Sequence, residues 1–227
     1  MYRFVKRGFC ILASLLAIVV TSPVWVIAIV GIEVSDPGPV FYMAKRVGKD
    51  GKIFRMFKFR SMRIDKQANE SNFKADSERI FPWGNLIRRL KIDELPQLLN
   101  CLLGTMCIIG PRPASVDQVA IVRAGEYAEV NRLTPGLSGP SALYDYIYGD
   151  TVEEEDEYER LVLPTRLALD LYYVRYGVQC LYDLKMIWQT VVCILNSVFG
   201  RSSEKILRQL EVCASKIEKE EKVLVEV

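Results

Sequence analysis

The 227-residue chain contains no histidine. A Ser-His-Asp triad, a Cys-His pair, a histidine zinc site, a phosphohistidine and an imidazole base are all excluded. The six cysteines (Cys10, Cys101, Cys107, Cys180, Cys193 and Cys213) form no C-x-x-C pair and no zinc-like spacing. Most lie in apolar runs, where a free thiol behaves as a small hydrophobe, as expected of a reducing, cytosol-facing compartment. Chemistry here must run on carboxylates, lysine, arginine, thiols, hydroxyls or a metal held by oxygen. There is also little net charge: 30 basic against 28 acidic residues give +2. With half the residues hydrophobic and 26% charged, a wholly disordered chain is excluded.

The balance hides local asymmetry. Residues 45–63 carry eight Lys/Arg and one acid, a setting for anions, whereas 153–159 are almost wholly acidic and read as a solvated face or loop. From Gly8 to Ile32 there are 25 residues without a charge. As a straight helix they would reach about 37 Å, more than a bilayer core and too long for a cleaved signal peptide. Ser22-Pro23 sits at the midpoint, where proline removes a donor and predicts a bend, and where the serine hydroxyl can satisfy the freed carbonyl. Basic residues flank both ends (Arg3, Lys6 and Arg7; Lys45, Arg46, Lys49 and Lys52). A spanning helix would put one flank on the wrong side, so the charges favour a re-entrant hairpin that enters and leaves one leaflet.

After the Asp36-Pro37-Gly38-Pro39 turn, two strand-type runs, Val40–Val47 and Lys52–Met62, meet at Asp50-Gly51, the signal of a tight hairpin. Alternation places Lys58 and Arg60 on one face of the second run, either an anion site or a solvated basic face. The polar residues 63–80 carry no motif. Phe81-Pro82-Trp83 and Leu86-Ile87 have the texture of an interfacial segment. Arg88, Arg89 and Lys91 precede Asp93-Glu94-Leu95-Pro96, and an apolar helical stripe runs from Ile92 to Gly104. Pro96 belongs in a first turn, so the helix should begin near Asp93. Asp93 then reads either as an N-cap or as an ionised carboxylate in a positive field, able to attack phosphorus or hold Mg²⁺. Gly110-Pro111-Arg112-Pro113 fixes the backbone around an arginine whose planar fork suits phosphate. Residues 161–199 return to helical texture, and the segment Met186–Phe199 is expected to pack on the core or lie on a membrane surface. The last 27 residues form a charged amphipathic helix whose seam (Ile206, Leu210, Cys213, Ile217) could pair with another helix and make a homodimer.

Taken together, these stretches resemble the bacterial sugar transferase family, the monotopic phosphoglycosyl transferases, in its short catalytic-domain form. The likeness rests on the apolar segment broken at Ser22-Pro23, Asp36–Tyr42, Arg46–Gly51, Phe57–Met62, Leu90–Leu98 and Gly110–Pro113, in family order over roughly residues 8–200. It implies transfer of a phosphosugar from a nucleoside-diphosphate sugar, usually a UDP-sugar, to undecaprenyl phosphate, with UMP released. It further implies Mg²⁺ and a covalent aspartyl-phosphosugar. By resemblance Asp93 is the nucleophile and a metal ligand, Glu94 assists, and Lys58, Arg88 and Arg112 handle phosphate; Arg60 joins them through its place on the Lys58 face.

The implied place is the bacterial inner membrane, with a re-entrant anchor, the catalytic domain on the cytoplasmic face and downstream glycosyltransferases as partners. The fold expected is mixed α/β, mainly helical: anchor 1–35, catalytic domain 36–200 with a basic β-hairpin and interfacial helices, and tail 201–227. A competing reading is a non-catalytic membrane-anchored protein that binds anionic lipid or nucleic acid. It has no use for Asp93 or Glu94, and nucleic acid is not expected as a partner. A phosphatidyltransferase is disfavoured because the clustered aspartates with glycine and the several spanning helices are missing. Departures from the family pattern at Pro140–Tyr146 and in the acidic segment leave the sugar open.

Overall fold

A computed structural model describes residues 2–64 and 77–225; most of the polar stretch 63–80 lies outside them. Helix α1 (Tyr2–Ser35) is unbroken through Pro23. The expected hairpin of two helices is not seen, and the reason is local. Pro23 has no N–H to give the carbonyl of Val19, and the Ser22 hydroxyl donates to that carbonyl at 2.8 Å. Thr21 bonds the Ala17 carbonyl in the same way, at 2.7 Å. Most of the helix is exposed apolar surface, including Leu12, Leu16, Val19 and Val20. Both ends, however, are docked. Lys6 pairs with Asp183 at 2.8 Å, and Tyr2 also donates to Asp183. Towards the other end, Ala28 and Ile32 are buried with Phe59, Phe81 and Ile87. Gly31 makes this contact possible, since a Cβ there would lie 2.1 Å from the Trp83 ring.

Strands β1 (Phe41–Val47) and β2 (Ile53–Phe59) form the expected antiparallel hairpin, in register Tyr42 to Lys58 and Arg46 to Phe54. At its tip Asp50 and Gly51 both adopt positive φ, as the dipeptide predicts. Helix α2 (Pro82–Arg89) carries proline in its first turn and packs on α1. A single 3-10 turn over Ile92–Glu94 comes next, and α3 (Gln97–Leu103) starts only after Pro96, so the carboxylates precede the helix. Strand β3 (Cys107–Ile109) pairs in parallel with β5 (Gly136–Ser138), and β4 (Ala114–Ser115) joins the free edge of β1, giving the order β2-β1-β4. The short α4 (Val119–Val122) separates them.

The main core is helical. It is built by α5 (Pro140–Ile147), α6 (Glu155–Leu161), α7 (Leu163–Tyr172), α8 (Cys180–Val198) and α9 (Glu204–Val225). Leu169, Leu171, Met186, Leu210 and Ile217 meet there. The tail seam is therefore already occupied. Ile206, Leu210 and Ile217 of the expected seam are buried within the chain together with Ala214, chiefly against α7, and Cys213 is half-buried, so the seam is not free to pair with a second copy. The acidic segment is likewise only partly solvated, since Tyr158 of α6 is buried in the core. Helix α8 turns Met186, Gln189 and Cys193 inward and leaves Leu181, Leu184, Trp188, Val191, Leu195 and Val198 exposed along one side.

Candidate active site

The 3-10 turn places Asp93 and Glu94 where one cation meets both. Lys91, at φ 54°, reverses the chain out of α2, and the turn that follows holds the two carboxylates before α3 begins. Lys58 of β2 donates to Glu94 Oε1 at 3.1 Å and lies 4.0 Å from Asp93 Oδ2. Asp93 is only 4% exposed, and its Oδ1 is buried without a hydrogen-bond partner. Burial pushes the Asp93 carboxyl above its ordinary range, and the charge of Glu94 adds to this against Lys58, Arg88 and Lys91. Glu94 goes the other way. Burial opposes its charge, but Lys58, Lys91 and Arg112 outweigh that and hold it down to about 2. Two adjacent carboxylates are thus pushed apart in pKa, the usual sign of divided roles.

Arg112 stands on the Glu94 side, 3.2 Å from Asp145 Oδ2, with 40% of its side chain still open to solvent. The charge of Asp145 keeps the guanidinium firmly protonated. The Arg112 backbone is clamped as well: its N–H donates to Asp170 Oδ1 at 3.0 Å, and its carbonyl accepts from Arg123 at 2.8 Å. Arg123 and Asp170 are themselves a buried pair at 3.7 Å, and Ser141 donates to Asp170. Asp145 accepts from Tyr158, whose hydroxyl also accepts from Arg166 at 2.6 Å. Glu94, Lys58 and Arg112 open onto a cavity of about 110 Å³, also walled by Arg46, Gln97, Gln118, Arg123, Arg166 and Asp170. Five cations against two carboxylates make it an anion site.

Arg88 bears on Asp93, opposing the rise of its carboxyl, and contacts Met62. Arg60 does not join the group. Strand β2 ends at Phe59, so the alternation that put Arg60 beside Lys58 stops one residue short. Instead Arg60 is buried and donates to the Pro39 carbonyl at 2.6 Å and to the carboxylate and carbonyl of Asp36, locking the turn after α1. Sequence reading missed Asp145, Asp170, Arg123, Tyr158 and Arg166. One signal existed for Asp170: a lone acid inside Leu167–Tyr173 must be buried, and a buried charge needs a partner.

The pattern that defines the bacterial sugar transferases matches residues 1–197. An Aeromonas hydrophila UDP-N-acetylgalactosamine-undecaprenyl-phosphate N-acetylgalactosaminephosphotransferase is 35% identical over 207 residues, 88% of this chain and 46% of its own length. A Rhizobium leguminosarum exopolysaccharide production protein is 34% identical, over 84% of this chain and 95% of its own. The Escherichia coli UDP-glucose:undecaprenyl-phosphate glucose-1-phosphate transferase is 33% identical, over 83% and 40%. The chain therefore belongs to the bacterial sugar transferase family. It spans less than half of the Aeromonas and Escherichia relatives but nearly all of the Rhizobium one.

Proposed function

We propose that this protein moves a phosphosugar from a UDP-sugar to undecaprenyl phosphate, releasing UMP, as a membrane step of exopolysaccharide or related glycan assembly. The observation that carries the reading is the Asp93–Glu94 pair held by Lys58 at the edge of a cationic cavity. An Asp93 oxygen attacks the phosphorus that bears the sugar, and the bond to the UMP oxygen breaks. The phosphate oxygen of undecaprenyl phosphate then attacks the same phosphorus and frees the carboxylate. Lys58 and Arg112 neutralise charge on the transferred and leaving phosphates, so positioning and electrostatics supply the catalysis and no histidine is needed.

A Mg²⁺ ion fits this chemistry. Asp93 Oδ1 is a buried hard-oxygen donor without a partner, and Asp93 with Glu94 would share the ion with the donor's phosphates. The described residues bring no third carboxylate to them, so the substrate would complete the shell. When bound, the ion supplies further charge neutralisation at the diphosphate.

The membrane arrangement follows from α1. Tyr2 and Lys6 near one end, and Ala28 and Ile32 near the other, dock on the same folded domain, while the apolar middle stays exposed. A domain in the aqueous phase cannot hold both ends of a helix that crosses a bilayer. We therefore read α1 as entering and leaving one leaflet by bending at Ser22-Pro23, with the exposed side of α8 at the membrane surface. With Cys180 and Cys213 replaced, single cysteines at Phe4 and Lys45 should both resist an impermeant thiol reagent in intact cells. Labelling of Phe4→Cys alone would mean that α1 spans.

The test of the reaction is UMP release from a panel of UDP-sugars with Mg²⁺, with and without undecaprenyl phosphate. Lipid-dependent release from one donor, lost in Asp93→Asn, establishes the reaction and its donor. Nucleotide or lipid binding without turnover from any donor would favour a binding protein instead.

A further inference from the structure

Among the described residues, strand β2 is the edge of its sheet and pairs only with β1. An edge strand offers unpaired backbone groups, which something must cover if the strand is to hold one position. At the stretch that carries Lys58, the cover is a single side chain. Asn100 of α3 is fully buried, and its amide works as a substitute ladder partner. Its Oδ1 accepts the Phe57 N–H at 2.9 Å, and its Nδ2 donates to the Arg55 carbonyl at 2.8 Å. The remaining Nδ2 proton goes to Thr105 Oγ1 at 3.1 Å. Both donors and the acceptor of this amide are thereby used, and only asparagine among the side chains of this size offers them in one plane.

The helix that carries Asn100 is the one that follows the carboxylates. Pro96 caps α3 two residues after Glu94. The far end of α3 is fixed too, since Arg7 donates to the Cys101 carbonyl and, at 2.6 Å, to the Leu102 carbonyl. Gly104 closes the helix at φ 86°. Lys58 and Glu94 lie 36 residues apart in sequence, and besides their own hydrogen bond Asn100 ties the two segments together.

We infer that Asn100 is a positioning residue: by bonding the free edge of β2 on either side of Met56, it sets the distance between Lys58 and the Asp93–Glu94 pair. It touches no reacting atom. When the tie is lost, the strand can slide outward and Lys58 relaxes away from Glu94 into solvent. For its catalytic consequence the inference rests on the transferase reading, but the geometry it asserts is tested without turnover.

The experiment is competitive labelling of lysines by acetic anhydride at fixed pH in the full-length, detergent-solubilised protein, with each site quantified by mass spectrometry. Exposed Lys185 serves as the internal reference. Asn100→Asp is the main variant, because it keeps the shape and the bond from Phe57 while losing at least one of the two donated bonds; Asn100→Ala removes all three. Lys58, held against Glu94 in the parent protein, should label about tenfold faster relative to Lys185 in both variants, a change equal to about 1.4 kcal/mol of lost restraint. A general loss of stability would raise the labelling of many buried sites together, not Lys58 selectively. Should Asn100→Ala fail to fold, the isosteric Asn100→Asp still decides. Unchanged Lys58 reactivity in a folded Asn100→Asp protein overturns the inference. If the protein also turns over a UDP-sugar, the acid limb of its pH profile should shift in the variant as it does in Lys58→Met. Absence of any turnover would count against the transferase reading and leave the labelling result standing.

Discussion

Lys58 bonds Glu94 at 3.1 Å yet stands 4.0 Å from Asp93, so one ammonium is shared unequally between two adjacent carboxylates. The nearer acid is held ionised down to about pH 2, while the farther and more buried one is pushed upward. On the proposed reaction this divides the labour: Glu94 would serve as a fixed negative charge and Asp93 as the attacking group.

A pH profile should show this. On the proposed reaction Asp93 must be ionised to attack, so kcat/KM should rise with pH through a value above the ordinary aspartate range, with no contribution from Glu94 to that limb. Lys58→Met removes a charge that favours the Asp93 anion. It should lower turnover by at least about 10²-fold and shift the limb to higher pH. A limb left in place by Lys58→Met would mean that Asp93 is not the titrating group.

Asp93 should also cost the fold stability. Its folded pKa lies above its unfolded value, so its contribution is fully favourable below about pH 3.8 and is lost as pH rises through the folded value. At neutral pH Asp93→Asn should raise the thermal midpoint by about 2 °C or more while abolishing turnover. Calorimetry of the two proteins at pH 7 and pH 4 checks both parts: the gain should shrink at the lower pH.

The clamp on Arg112 makes a third prediction. Arg123 and Asp170 are both buried, so Arg123→Ala strands a carboxylate and should cost about 3–5 kcal/mol, measured by denaturant unfolding. The double substitution Arg123→Met with Asp170→Leu should be less destabilised than Arg123→Ala. It should nonetheless fail in turnover, because the N–H and carbonyl of Arg112 lose their partners.

The last helix is testable as core. Leu210→Ala should destabilise the protein by about 2–5 kcal/mol, as expected for a fully buried leucine. A detachable tail would tolerate the change at under about 0.5 kcal/mol.

The hairpin is legible because Asp50-Gly51 is a local signal, and the end of α3 because Gly104 marks it. The helix starts at Gln97, later than the position near Asp93 that a first-turn Pro96 predicts, because a separate 3-10 turn holds residues 92–94. Ser22 was legible as the donor that answers Pro23, but the unbroken helix was not, since a proline inside an apolar run is compatible with a bend as well as with a break. Arg60 was misplaced because alternation holds only while a strand lasts, and β2 ends at Phe59. Asp145, Asp170 and Arg123 come to Arg112 through contacts between distant segments, and an aspartate in a helical stretch has no local signature of its partner. Tyr158 was hidden by its acidic neighbours, whose charge read as solvated although one face of α6 is core. The tail seam was seen correctly as apolar, but periodicity does not say whether the covering helix belongs to the same chain.

Arg7 gives the anchor a meaning beyond attachment. By capping the end of α3, the apolar helix reaches to within one short rod of the Asp93–Glu94 pair, at the end opposite to theirs. In the membrane arrangement proposed above, the bilayer would be a levelling surface for the chemistry, and α1 the gauge that sets the height of the carboxylates above it. An unrelated hydrophobic segment of equal length would bring the protein to the membrane and still leave the carboxylates at the wrong level for a lipid phosphate.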